Sequence, residues 1–257
     1  MSRVGGCLLD LDGTVTFAGT AITGAAAAIA RIRTAGVPVR FGTNTTRYPR
    51  SVLVEQLASF GIDVDREELF TAPVAAAGWL RSQGAHRVSL LLAEATHEEF
   101  AEFERDDDRP EWVVVGDLGE AWDYATLNRA FRAIHAGAAL MAIQRNRVWD
   151  PGDGLRLDAG PFIAALEYAT GTAAVLVGKP APAFFTTAAQ SMGVAPGRMV
   201  AVGDGVENDV GGAHAAGCLG VAVRTGTFRD EDLDRLDRPP DAVLESIADL
   251  PGWLGLG

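Results

Sequence analysis

The chain has 257 residues, with 22 Lys+Arg against 34 Asp+Glu for a formal charge of −12; 48% of it is hydrophobic and 22% charged. That describes an ordinary globular protein of one large domain or two modest ones, neither disordered nor fibrous. The acidic balance argues against non-specific nucleic-acid binding, and no apolar run approaches the roughly 20 residues that span a bilayer.

The first residues lack a signal-peptide layout, because a carboxylate arrives by Asp10. Val4 to Leu11 is a continuous apolar run ending in carboxylates, as expected of a buried central strand. Ile22 to Thr34 is Ala-rich and helical, with Gly36 as its stop, and Val37 to Phe41 is a second strand running into Thr43-Asn44-Thr45-Thr46. Ser51 to Phe60 and Val74 to Ser82 read as helices. Glu102 to Pro110, with Asp106-Asp107-Asp108, reads as a solvated loop ahead of a metal site. Leu127 to His135 is an amphipathic helix, Ala138 to Ile143 an apolar strand, Pro161 to Ala169 a helix and Ala173 to Val177 a short strand. Met199 to Val202 is a strand ending at Gly203-Asp204, a helix follows from about Asn208 to Ala216, and Leu219 to Val223 is the last clear strand. Strands alternating with helices predict a mostly parallel α/β sheet. Cys7 and Cys218 lie in apolar segments and read as buried thiols of a reducing, cytoplasmic compartment.

Four polar clusters fall just beyond apolar strand patterns: Asp10-Leu11-Asp12-Gly13-Thr14, Gly42-Thr43-Asn44, Gly178-Lys179-Pro180, and Gly203-Asp204 through Asp209. In open α/β sheets ligands bind at the carboxyl ends of strands, so the four should converge on one crevice. Lys179 is the only lysine in the chain, every other basic residue being Arg. A compact ammonium is what Arg cannot supply. Two carboxylates at one strand end, joined by Asp204, make a hard all-oxygen site suited to Mg²⁺. A Thr hydroxyl, nearby backbone N–H groups and one ammonium make a cradle for a tetrahedral dianion. An anionic carboxylate can attack dianionic phosphorus only when their repulsion is cancelled, which a metal and an ammonium do together. The set therefore asks for phosphoryl transfer through an aspartyl-phosphate, one carboxylate attacking and the other moving a proton.

Asp10-Leu11-Asp12-Gly13-Thr14-Val15, Thr43-Asn44, Lys179 and Gly203-Asp204 with Asp209 resemble the four motifs of the haloacid dehalogenase-like phosphatases. Roughly 135 residues separate Asn44 from Lys179, which resembles the branch with a large α/β cap inserted there. The resemblance covers nearly the whole chain. It implies a Rossmann-like parallel-sheet core from 1–81 and 178–257, and an α/β cap over 82–177 that closes over the site. It further implies Asp10 as nucleophile and Mg²⁺ ligand, Asp12 as general acid/base whose backbone carbonyl also touches the metal, and Asp204 as completing the metal site. Thr43, Asn44 and Thr45 would hold the transferring phosphoryl group, Lys179 would neutralise Asp10 and the phosphate, and Asp209 with Asn208 would stand behind the metal ligands. Two departures matter. Mammalian members of that branch carry a serine at the position of Asp12, and the residue after Asp204 is Gly205 where the branch usually has Arg or Asp.

Other readings are weaker. His86, His97, His135 and His214 have no metal-ligand spacing, and Trp122 and Trp149 read first as packing. Asp150-Pro151-Gly152-Asp153-Gly154 lacks the downstream Glu of a Ca²⁺ loop and reads as a turn. Gly178-Lys179 lacks the remaining residues of a P-loop. A phospho-acceptor signalling module would use a similar acidic set, but this chain is about twice as long as such a module. Arg145 and Arg147, just after an apolar strand, could draw in an anionic substrate or simply be solvated. The expected substrate is a small phosphorylated metabolite, with pyrophosphate or a phosphoramidate as the alternative. Neither nucleic acid nor membrane is an expected partner, and a homodimer through the cap is an open possibility.

Overall fold

The computed structural model describes residues 4–46, 48–149, 154 and 156–256. The chain starts with β1 (Gly6–Asp10), a small hairpin of β2 (Thr16–Phe17) and β3 (Thr20–Ala21), α1 (Ala25–Thr34), β4 (Val39–Thr43), α2 (Arg50–Ser59) and β5 (Leu69–Thr71). A second alternation opens with α3 (Ala72–Ser82) and continues through β6 (Arg87–Leu91), β7 (Glu104–Arg105), β8 (Trp112–Val115), α4 (Tyr124–His135) and β9 (Ala139–Ala142). It ends with the hairpin β10 (Val148–Trp149) and β11 (Arg156–Leu157), α5 (Ala159–Thr170) and β12 (Val175–Leu176). The remainder is α6 (Pro182–Ser191), β13 (Met199–Gly203), α7 (Gly212–Ala215), β14 (Leu219–Val223), β15 (Ala242–Leu244) and α8 (Leu250–Trp253).

These elements form two compact units, one of residues 1–43, 50–71 and 179–257 and one of 44–49 and 72–178. The first is a six-stranded sheet in the order β15-β14-β13-β1-β4-β5, every pair parallel. β1, β13 and β14 are buried at every residue, as uninterrupted apolar strands covered on both faces must be. On one face α1 turns Ala25, Ile29 and Ile32 inward, a helical spacing that packs them with Leu9, Phe41, Val202 and Val221. The second unit is a five-stranded parallel sheet, β12-β9-β8-β6-β7. α4 begins where Asp123 accepts a hydrogen bond from Thr126 N at 2.7 Å, and α5 ends at Gly171 with φ +69°.

Three expectations change. The first boundary, placed at 81/82, falls at 71/72, because α3 buries Ala72, Ala76, Ala77 and Leu80 among Val88, Leu90, Leu92 and Val114 of the second unit. The second falls at 178/179 in place of 177/178, and residues 44–49 group with the second unit. The helix expected from Asn208 to Ala216 is a wider π-helical turn over Val206–Gly211 followed by the short α7. β6 and β8 stand in a stretch that periodicity left without strands. Glu102–Pro110 contains the two-residue β7 and then a turn closed by Asp106 Oδ1, which accepts from the N–H groups of Asp108 and Arg109, both at 2.9 Å. The turn expected over 150–154 lies, but for Gly154, outside the described residues.

After β9, a buried polar network shapes the next loop. Gln144 Nε2 donates to Asp158 Oδ1 at 2.5 Å, and its Oε1 accepts from Asn146 N at 2.5 Å. Gly160 N then donates to Asn146 O at 2.9 Å. A Cβ on Gly160 would stand 2.6 Å from Asn146 O and 2.8 Å from Arg145 O, so this loop and the start of α5 can meet only over a glycine. Gly160→Ala should therefore destabilise by about 1–3 kcal/mol in urea unfolding. Gly252→Ala, at a helical glycine with nothing within 4 Å, should be neutral or slightly stabilising. Equal effects would mean that the loop contact carries no constraint.

Candidate active site

β1 carries Asp10 to its carboxyl end, and its neighbours in the sheet set what stands beside it. β13 lies alongside and ends at Gly203, placing Asp204 just beyond, while β4 on the other side ends at Thr43. The π-helical turn after Asp204 then directs Asp209 back inward. Asp209 N donates to Gly205 O at 2.7 Å, and Gly205 N donates to Asp209 Oδ2 at 3.1 Å. Neither Gly203 nor Gly205 could carry a side chain here, because a Cβ at either would meet the Asp209 carboxylate.

Lys179 closes the arrangement. Its Nζ donates to Asp10 Oδ1 at 2.5 Å and to Asp209 Oδ1 at 2.7 Å, with all three side chains under 10% exposed. One oxygen from each of Asp10, Asp204 and Asp209 lies within 4.8 Å of the others. Asp12 is on the turn following β1 and is exposed. Thr43 is buried at the end of β4; Asn44 and Thr45 follow it directly and group with the second unit. Asn208 is exposed on the turn that buries Asp209.

The charges do not balance within the protein. Three carboxylates surround one ammonium in a site nearly closed to water. Burial pushes Asp10 well above the usual carboxylate range; Lys179 opposes this, and the charges of Asp209 and Asp204 add to it. Asp209 is raised for the same first reason, again against the pull of Lys179. For Lys179 itself burial works against the charge, but Asp10 and Asp209 outweigh it and the ammonium is held above its ordinary value. Although Asp12 is exposed as a residue, partial desolvation of its carboxyl raises it, Lys179 pulls it down and Asp204 adds to the rise. A hard divalent cation among these oxygens would remove the excess negative charge and reverse the upward shifts, so the donor set fits one.

The remaining candidates are occupied elsewhere. Arg145 Nη2 donates to Glu167 Oε2 at 2.6 Å and Nη1 to Oε1 at 3.3 Å, a two-pronged pair on α5, whereas Arg147 is exposed. Trp122 stacks on Phe162 with ring centroids 4.3 Å apart, a packing role; the Trp149 side chain lies outside the description. His97 bonds Leu92 O, His135 stacks on Phe131 and His214 pairs with Asp241, and among the described residues no histidine joins a metal-type cluster. Sequence reasoning missed the loop Thr225-Gly226-Thr227, beyond β14. Thr227 donates to Asp204 Oδ2 through its N–H at 2.7 Å and its Oγ1 at 2.8 Å, and Thr225 Oγ1 donates to Gly13 O at 2.5 Å. The signal available was a T-G-T after an apolar strand, at a carboxyl end like those of the other clusters.

Lys179→Met would leave Asp10 and Asp209 buried without their ammonium, raising both further above their unfolded values. The folded variant would then hold protons that the unfolded chain releases above about pH 4. Its stability deficit against the wild type, measured in urea with a chelator present, should therefore grow from pH 5 to pH 8. A deficit independent of pH would reduce Lys179 to a packing element.

With this geometry in view, the comparisons with known proteins are specific. Residues 7–105 match the family model described as haloacid dehalogenase-like hydrolase, and residues 176–250 match the related HAD-hydrolase-like model. Human haloacid dehalogenase-like hydrolase domain-containing protein 2 is 40% identical over 240 residues, which is 93% of this chain and 92% of that protein. Human phospholysine phosphohistidine inorganic pyrophosphate phosphatase is 36% identical over 255 residues, 97% of this chain and 93% of that protein. Among solved structures, the p-nitrophenyl phosphatase from Archaeoglobus fulgidus superposes with a TM-score of 0.89 at 29% identity, covering 97% of this chain and 99% of its own. NagD from E. coli K-12 also gives 0.89, at 25% identity over 97% and 98%. A parallel-sheet core with an inserted α/β cap, a cluster of carboxylates around one lysine and relatives of this kind along nearly the full length have one reading: this chain belongs to the haloacid dehalogenase-like hydrolase family and is, within it, a phosphatase.

Proposed function

We propose that the protein is a Mg²⁺-dependent phosphatase that hydrolyses small phosphorylated metabolites through an aspartyl-phosphate on Asp10. The observation that carries this reading is the Lys179 ammonium held between Asp10 and Asp209 at the end of β1, with Asp204 completing an oxygen cluster. The unit containing β1 is then the catalytic one, and the second unit is the cap. Asp10, Asp204 and the backbone carbonyl of Asp12 are the groups that would hold the cation. Asp209 has its Oδ1 on Lys179 and its Oδ2 on Gly205 N, which suits it to orienting the ammonium. When bound, the cation supplies positive charge that lets a carboxylate approach a dianionic phosphoryl group.

Asp10 attacks phosphorus, the bond to the leaving oxygen breaks, and Asp12 donates the proton which that oxygen needs. Water then attacks the aspartyl-phosphate while Asp12 takes its proton, releasing phosphate and restoring Asp10. A carboxyl whose pKa is raised, as that of Asp12 is, suits the donating half of such two-way transfer better than an ordinary one. Thr43, Asn44 and Thr45 bind the non-reacting phosphoryl oxygens, supported by Thr43 standing one strand from Asp10. Lys179 neutralises both Asp10 and the incoming phosphate. A cytoplasmic setting belongs to the same reading and is supported by two buried free thiols, Cys7 pushed up to about 12 and Cys218 to about 11 by burial. Among the described residues no helix is long and apolar enough to cross a membrane.

One relative bears phospholysine, phosphohistidine and pyrophosphate in its name, which makes those the second reading. Asp12 favours esters, because an alkoxide leaving group needs a proton more than pyrophosphate does. A small ester also agrees with the p-nitrophenyl phosphatases among the structural neighbours.

Asp10→Asn should fold normally and lose about 10³-fold or more in kcat on p-nitrophenyl phosphate with Mg²⁺. Near-normal turnover would remove Asp10 as nucleophile. Steady-state assays over sugar phosphates, phosphoglycolate, nucleotides, pyridoxal phosphate, pyrophosphate and phosphohistidine should give the highest kcat/KM on an ester. Activity confined to pyrophosphate and phosphoramidates would establish the second reading.

A further inference from the structure

Asp204 is gripped differently from its neighbours. Asp10 and Asp209 each share an oxygen with Lys179, whereas the donors to Asp204 among the described residues both go to one oxygen, Oδ2, and both come from Thr227. Two glycines make room for this grip. Gly13 has φ +91° and Gly226 φ +66°, and a Cβ on either would overlap the Asp204 carboxylate. Thr225 Oγ1 on Gly13 O ties the two glycine turns together, and Arg224, paired with Asp230 at 2.8 Å, steadies the base of the loop. Asp204 is 5% exposed while Thr227 is exposed, so the threonine covers Oδ2 from the solvent side.

We propose that Thr227 is a positioning residue that restricts Asp204 to ligation through Oδ1 alone, and that this restriction makes the site prefer Mg²⁺ to Ca²⁺. The proposal rests on the metal-dependent reading above. An ionised carboxylate oxygen that already accepts two hydrogen bonds has little capacity left for a cation, so two-oxygen ligation would require breaking the bond to the Thr227 hydroxyl. Mg²⁺ is small, keeps near-octahedral geometry and takes a carboxylate through one oxygen. Ca²⁺ gathers six to eight oxygens and exploits carboxylates through both. Holding Oδ2 out of reach therefore costs Mg²⁺ nothing and denies Ca²⁺ a ligand. Sequence spacing could not have raised this, since Thr227 lies 23 residues beyond Asp204 on the far side of β14.

Chelator-treated wild type, Thr227→Val and Thr227→Ser should be titrated with MgCl₂ and with CaCl₂. Binding is followed by calorimetry and by the rise in Tm, without substrate. Valine keeps the shape and the backbone N–H but removes the hydroxyl; serine restores it. The ratio of the Ca²⁺ to the Mg²⁺ dissociation constant should fall about tenfold or more in Thr227→Val and return towards wild type in Thr227→Ser, the range expected for a residue that orients a metal ligand. Unchanged metal-free Tm values verify that all three proteins are folded. A Thr227→Val protein that discriminates as the wild type does, or a Thr227→Ser protein that loses discrimination equally, overturns the proposal. A wild type whose Tm responds to neither cation would overturn the metal-dependent reading itself, and would do so before any substitution is compared.

Discussion

Lys179 reaches Asp10 and Asp209 in a region from which water is nearly excluded, and each surrounding element must deliver its charge to within a hydrogen-bond length. Burying one ion of such a set unpaired costs several kcal/mol, so no member can drift without penalty. Burial itself raises Asp10 and Asp209, and the net negative charge that three carboxylates leave around one ammonium adds to it. The cluster is thus left with a surplus of negative charge that a cation among its oxygens would remove.

That demand reaches into the sheet. β1, β13 and β14 are buried throughout, and their carboxyl ends are where the chain first becomes polar. A parallel sheet places all such ends on one edge, so residues far apart in sequence meet without any long-range recognition beyond strand pairing. The glycines follow the same logic. Gly13, Gly203, Gly205 and Gly226 stand where a Cβ would meet the carboxylate of Asp204 or Asp209. The carboxylates approach the backbone closely because nothing projects from it.

The second unit solves a different problem. Two of its buried polar side chains, Gln144 and Asp158, bond one another and the neighbouring backbone, so the loop after β9 is held by them. Arg145 is drawn into a pair with Glu167, which also accepts from Ala174 N and so joins α5 to the start of the last cap strand. An arginine after an apolar strand left ligand contact and solvation equally open from sequence; what the fold adds is its acidic partner 22 residues later on α5.

Long apolar runs and helical spacing were enough to place β1, β4, β9, β13, β14 and the helices α1 to α5 within a few residues, because burial imposes periodicity that local sequence must satisfy; α6 stands in a stretch where no element was expected. The clusters at Asp10, Thr43, Lys179 and Asp204 were legible for a related reason: a solitary lysine and carboxylates at strand ends have few structural uses. The π-helical turn at Val206–Gly211 was not legible, since its width comes from Asp209 turning inward to Lys179, a partner 30 residues earlier. The membership of α3 was decided by which apolar partners its alanines met, and an Ala-rich helix carries little information about that. Thr227 was decided by tertiary structure alone, because one hydroxyl among many acquires its meaning only when a loop beyond a parallel strand sets it against a buried carboxylate. The sequence by itself determined which residues must be buried and which chemistry their charges could perform. Only the folded chain determined how each charge is aimed, because hydrogen-bond geometry depends on neighbours that strand pairing, not sequence distance, brings together.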